Sequence, residues 1–160
     1  MRWLSAPDLG FLLPMLFSDG AVASRVNEEI LQKYAVNAEL KDVKYLWSVT
    51  LSPMQLISTK PYNSIADLKG HKIRTEGKLE AAAIEALGAT SVFLPTSEVF
   101  TSMERGLITG TFMNWQAVIV FNLGQVSKYR VECNFGNRGF PVVMNKNTWN
   151  SLPKDIQDIF

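Results

Sequence analysis

Apolar positions after Asp19-Gly20 recur at helical spacing. Val22, Val26, Ile30 and Leu31 fall on one stripe, which predicts a helix offered caps by Ser18-Asp19-Gly20 and running to about Tyr34. The pattern then becomes β-branched and apolar. Asp42–Val49 and Met54–Ser58 read as strands. Ser64, with Asp67 three residues on and Gly70 behind it, predicts one short capped turn before a strand over "HKIRT". Lys78–Gly88 is rich in Ala, Glu and Leu and ends on a glycine, the clearest helix in the chain.

Thr90–Pro95 reads as a strand and Thr96–Gly106 as a helix with Glu98 in its first turn. Leu107–Asn114 follows as a strand with a glycine inside it, then a helix over Trp115–Leu123. Lys128–Asn134 and Phe140–Met144 read as strands, and helices begin at Asn147 and Pro153. Strands and helices alternate with short connections, which predicts an α/β architecture with a largely parallel sheet.

Composition narrows the function. Of 160 residues, 47% are hydrophobic, enough to build a packed core. The formal charge of +1, with no basic run, gives no electrostatic case for a nucleic-acid partner. A single cysteine, Cys133, excludes an internal disulfide and a cysteine-based zinc cluster, and it reads as a small buried hydrophobe. The one histidine, His71, reads as an exposed residue at a strand start. The opening stretch "MRWLSAPDLGFLLPMLF" is interrupted by Pro7, Asp8 and Pro14. It is read as a loop and first helical turn rather than a signal peptide.

No catalytic, metal or cofactor assignment follows. The sequence holds no G-x-S-x-G, H-E-x-x-H, G-x-G-x-x-G or G-x-x-x-x-G-K-[ST] motif. The Glu28-Glu29 pair reads as a solvated helix face. Binding chemistry is better served. In parallel α/β sheets, ligands lie at the carboxyl ends of strands. Arg74 and Asn114 fall at two such ends. A guanidinium there can grip a carboxylate in planar, bidentate fashion, and a carboxamide can donate to one oxygen. Each also has a plainer reading: Arg74 as an ion pair with Glu76 or Glu80 at the surface, Asn114 as the N-cap of the following helix. Trp115 and Phe140 are the candidate apolar wall residues.

Three segments together resemble a known family. "KPYNSIADLKGHKIRTEG" is similar to K-P-x-x-s-x-x-D-L-k-G-x-K-i-R. "EALGATSVFLPTSEVFTSMERGLITG" is similar to a-l-G-a followed by v-x-l-p-x-x-E-v-y-x-a-l-x-x-G-x-i-D-G. "VVMNKNTWNSLPKDIQDIF" is similar to v-x-N-x-x-x-w-x-x-L-P-x-d-x-q. These are motifs of the solute-binding proteins of tripartite ATP-independent periplasmic (TRAP) transporters, the DctP type. Their order and spacing agree from Lys60 to Phe160.

The resemblance implies a periplasmic-binding-protein-like (Venus flytrap) fold with two α/β lobes, incomplete in this chain. Residues 1–73 would belong to lobe one, residues 74–143 to lobe two, and residues 144–160 would return toward lobe one. It implies that Arg74 meets the ligand carboxylate, that Asn114 stands beside it, and that Glu98 organises the cleft. It also implies a periplasmic location, a small organic acid as ligand, membrane permease subunits as partners, no cofactor and no enzymatic activity. The export signal is expected to be absent from this chain, and open sheet edges are expected to favour self-association. The family's D-G is Thr109-Gly110 here. Arg74→Ala is expected to weaken acid binding at least about tenfold without unfolding the protein. A small-molecule-sensing domain of a regulator, and less favourably a hydrolase, are the alternatives.

Overall fold

Glycine and cap positions set the element boundaries. The computed structural model describes residues 15–17 and 19–160. The readings of the opening stretch up to residue 14, and of Ser18 as a cap, lie outside them. Helix α1 (Gly20–Ile30) starts on Asp19, whose carboxylate accepts the N–H of Ala21 at 2.7 Å. It passes into a π-helical turn over Leu31–Ala35. Strand β1 (Val43–Thr50) and strand β2 (Gln55–Ser58) follow. The turn of 3₁₀ helix over Ile65–Leu68 is boxed by Ser64 and Asp67, as its spacing predicts.

Strand β3 (Lys72–Thr75), helix α2 (Lys78–Ala86) and strand β4 (Thr90–Phe93) come next. The helix expected over Thr96–Gly106 is a 3₁₀ turn, Thr96–Glu98, leading into α3 (Val99–Glu104). Strand β5 (Gly110–Met113), helix α4 (Trp115–Val120) and strand β6 (Tyr129–Val131) complete the central part. Strand β7 (Gly139–Asn145) and helices α5 (Lys146–Ser151) and α6 (Lys154–Gln157) end the chain.

The strands form two sheets. One has five strands in the order β4-β3-β5-β2-β6; the other pairs β1 with β7 antiparallel. The expectation of a largely parallel sheet is corrected by the pairing. β3 is parallel to β4 and β5, while β2 is antiparallel to β5 and to β6. The division expected between residues 73 and 74 falls inside β3. Strands from before it and after it share the five-stranded sheet. Residues 146–160 pack near β1, where Lys44 lies over the Trp149 ring and Trp47 stacks on Phe160.

β2 and β5 are buried on both faces. Their alternation sends Leu56 and Phe112 into one core, with Ile73 and Ile84. It sends Ile57 and Met113 into another, with Val99, Met103 and Leu123. Helix α2 covers the first face and α3 the second. Gly110 lets β5 sit this tightly: a Cβ there would meet the Ile57 carbonyl oxygen at 3.0 Å and Ile73 Cδ1 at 3.2 Å.

β1 carries a bulge between Tyr45 and Trp47. Glu28 of α1 reaches this strand. Its carboxylate accepts from Tyr45 Oη, from Ser48 Oγ at 2.7 Å, from the Ser48 N–H at 3.1 Å and from Gln32. The reading of Glu28 as part of a solvated face is therefore corrected, while its neighbour Glu29 is exposed. Burial pushes the Glu28 carboxyl up, but the hydrogen bonds from Tyr45, Gln32 and Ser48 outweigh it and leave it below its ordinary value.

Candidate ligand site

Four segments meet at the carboxyl ends of β3 and β5. Because β2 runs against β5, its start faces the same edge, Gln55 opposite Met113. The loop before β2 is zipped to the segment before β7: Leu51 N–H bonds the Arg138 carbonyl, and Met54 N–H the Gly136 carbonyl, each at 2.8 Å. Asn137, buried, donates its amide to the Leu51 carbonyl at 3.1 Å. This places Arg138 over the end of β3.

Arg74 is 1% exposed. Its Nε donates to the Leu94 carbonyl at 2.9 Å and its Nη2 to Thr96 Oγ1 at 2.9 Å. The same Nη2 pairs with Glu76 Oε1, and Glu76 Oε2 pairs with Arg138 Nη1. Arg138 Nη2 reaches Glu80 Oε2 at 2.9 Å. Glu80 Oε2 also accepts the Glu76 N–H at 2.9 Å and Thr75 Oγ1 at 3.1 Å, so the first turn of α2 is tied to the same cluster. Two arginines and two glutamates thus form one chain of ion pairs, with the Glu76 carboxylate between two guanidiniums.

Burial governs their charges. It pushes the Glu80 carboxyl up to about 7, with the Thr75 hydroxyl and the Arg74 charge pulling the other way. It brings Arg74 down to about 10, partly offset by Glu80. Arg138 also comes down to about 10, through burial and then the nearby Arg74 charge. Both arginines stay protonated at neutral pH.

A cavity of about 330 Å³ opens beside this cluster. Glu76, Thr96, Asn114 and Arg138 supply its polar lining, and Met54, Phe112, Met113, Phe121 and Phe140 most of its apolar wall. Arg74 is not in the lining; it lies behind Glu76 and Thr96. Asn114 is the helix cap and also stands at the cavity. Its Oδ1 accepts the Ala117 N–H at 2.8 Å as the cap of α4, and the residue lines the cavity. Among the described residues, its Nδ2 has no acceptor.

The remaining candidates divide. Phe140 lines the cavity. Trp115 does not: it is 37% exposed and lies in a separate groove, with the Arg130 guanidinium 5.9 Å from its ring centre. Glu98 is exposed and lines another depression with Thr101 and Arg105. The surface ion pair considered for Arg74 is real in its partner, Glu76, but buried at the arginine. Arg74→Ala therefore removes buried bonds as well as the expected ligand contact. Sequence reasoning missed Arg138. Its only local signal is an arginine held between glycines, "GNRG", at the start of a strand.

Cys133 is half-buried against the core and its thiol is pushed up by burial. His71 is half-buried too, edge-on to Tyr62 with ring centres 5.2 Å apart, rather than exposed. Among the described residues, no group of three potential metal ligands occurs, and no helix is long and apolar enough to cross a membrane.

The family described as bacterial extracellular solute-binding protein, family 7 (DctP) matches residues 5–160. The chain belongs to that family. Its members are solute-binding proteins of transport, not enzymes. Among relatives, a solute-binding protein of Sulfitobacter sp. (strain NAS-14.1) is 30% identical over 96% of this chain and 48% of its own length. Among solved structures, a TRAP solute-binding protein from Rhodoferax ferrireducens T118, in complex with copurified benzoate, is 25% identical with a TM-score of 0.88. The match covers 96% of this chain and 49% of that one. A TRAP periplasmic solute-binding protein from Shewanella oneidensis with bound succinate is 29% identical with a TM-score of 0.84, covering 97% and 52%. The family member described here therefore spans about half the length of those it matches. Its architecture is the periplasmic-binding-protein-like α/β fold, present in part.

Proposed function

We propose that this chain is the anion-gripping portion of a periplasmic TRAP-type receptor that captures a small organic acid and delivers it to membrane permease subunits. The observation that carries the reading is the buried guanidinium of Arg74 at the carboxyl end of β3. It lies behind Glu76 and Thr96 of a cavity that is also lined by Arg138 and by Asn114, whose Nδ2 has no acceptor among the described residues. Nε and Nη2 of Arg74 are bonded to described residues and the guanidinium stands behind Glu76 and Thr96, so a ligand carboxylate bonds it by taking the place of one of these two partners. Partial burial strengthens such a charge-assisted bond relative to one in water.

Relatives found with succinate or benzoate bound are consistent with an acid ligand. The five-stranded sheet would be the core of one lobe, and the β1–β7 ribbon with α5 and α6 the passage toward the other. The ribbon has two strands and exposes Trp47, Val49, Phe140 and Val143. A sheet that small needs further cover, so self-association of the chain belongs to the same reading. Calorimetric titration with small carboxylates tests the binding role. Heat of binding from at least one acid, lost in Arg74→Ala, supports it, and a folded chain that binds none of them rejects it.

A further inference from the structure

The Glu76 carboxylate occupies the position between Arg74 and Arg138 that an acid ligand would otherwise compete for. We propose that this internal carboxylate makes the cavity selective for singly charged acids with an apolar, ring-sized body, against dicarboxylates and polyhydroxylated acids. The inference rests on the receptor reading above and specifies its ligand class.

Charge is the first argument. Two arginines face Glu76, which is shared between them, and Glu80, whose carboxyl burial pushes up to about 7, so near neutral pH the cluster carries at most one surplus positive charge: enough for one ligand carboxylate and not for two. A singly charged acid needs only a few donors. The structure leaves one at the cavity, the Nδ2 of Asn114, which has no acceptor among the described residues; the Nε of Arg138 also lacks a partner among the described residues but is fully buried. A second carboxylate would be desolvated beside Glu76, a like charge with 28% of its side chain still exposed on the cavity side of the cluster.

The wall is the second argument. Phe112, Phe121 and Phe140, with Met54 and Met113, surround the space, and Thr96 and Asn114 are its neutral polar groups. Sugar-acid hydroxyls brought there would lose water and find few partners, a larger penalty than any misfit of an apolar ring. A volume of about 330 Å³ is at the small end for ligand cavities, which run to roughly 1,000 Å³. Aromatic walls favour offset or edge-on contact with a ligand ring.

Isothermal titration of the chain at neutral pH with benzoate, phenylacetate, succinate and D-glucuronate tests this. Benzoate or phenylacetate is expected to bind at least about tenfold more tightly than succinate and D-glucuronate. Glu76→Gln, which keeps the shape and removes the charge, is expected to narrow the benzoate-to-succinate ratio by about tenfold. Phe140→Ala is expected to weaken benzoate more than succinate. Succinate or D-glucuronate binding as tightly as benzoate overturns the selectivity and leaves the receptor reading standing, as does an unchanged ratio in Glu76→Gln. A chain with an intact unfolding transition that binds none of the four acids overturns both. Should Glu76→Gln fail to fold, the ratio measured on the unaltered chain decides alone.

Discussion

Glu80 and Arg138 meet at 2.9 Å across 58 residues of sequence, joining the first turn of α2 to the start of β7. Burial holds the Glu80 proton on up to about pH 7, against 4.5 for an ordinary glutamate. Between those values the folded chain keeps a proton that the unfolded chain has released. The stabilising contribution is therefore complete below about 4.5 and is lost as pH rises through about 7. The loss is on the order of 3 kcal/mol. Thermal unfolding across pH 4.5–8 should show this decline in the unaltered chain, and Glu80→Gln should remove that part of it. Parallel pH profiles for the two proteins would sink the assignment.

Arg74→Ala removes three hydrogen bonds from a fully buried site and strips Glu76 of one of its two cations. Stability should fall by about 3 kcal/mol, as for one partner lost from a buried pair. Acid affinity should fall at least about tenfold. Denaturant unfolding and titration read the two effects separately, and Arg74→Lys should recover part of the stability but little of the affinity, because a lysine cannot fork.

Gly110→Ala pushes a methyl group against the Ile57 carbonyl, a backbone atom that cannot move without disturbing the β2–β5 pairing. The expected cost is about 1–3 kcal/mol. A melting temperature equal to that of the unaltered chain would show that the sheet accommodates the methyl group freely.

Glu28→Ala leaves the Tyr45 hydroxyl and the Ser48 N–H without their common acceptor. Such orphaned donors cost about 1–3 kcal/mol together when partly buried. Glu29→Ala, one residue along and exposed, should change stability by less than about 0.5 kcal/mol. Equal effects of the two substitutions would contradict the contact.

Most of the elements were legible because each is punctuated locally. Gly88 and Gly106 adopt positive φ where helices end, Asp67 closes a capping box, and Asn114 caps α4. What local pattern does not encode is which strand lies beside which. β2 is short and apolar on both faces, a signature it shares with a central parallel strand, so its antiparallel direction was not readable.

The site was legible in the same measure. Asn114 and Phe140 line one cavity, with Arg74 behind it, because strand ends converge. Trp115 departs because the residue after a helix cap is turned away from the strand it follows. Thr109, standing for an aspartate of the family motif, proves structural: its hydroxyl accepts from Tyr62 at 2.9 Å and donates to the Lys72 carbonyl at 3.1 Å. Arg138 was invisible because its partners are distant in sequence and nothing nearby announces them.

The irregularity in β1 settles how one strand serves two neighbours. In an even pleat, Tyr45 and Ser48 would face opposite ways; here both turn to Glu28, while Trp47 points outward to Phe160. The additional residue acts as a half-turn in a belt, presenting one side of the strand to the first helix and the reverse to the last aromatic ring. Removing a single residue at Leu46 would untwist the belt, and the tyrosine and serine could no longer share one acceptor.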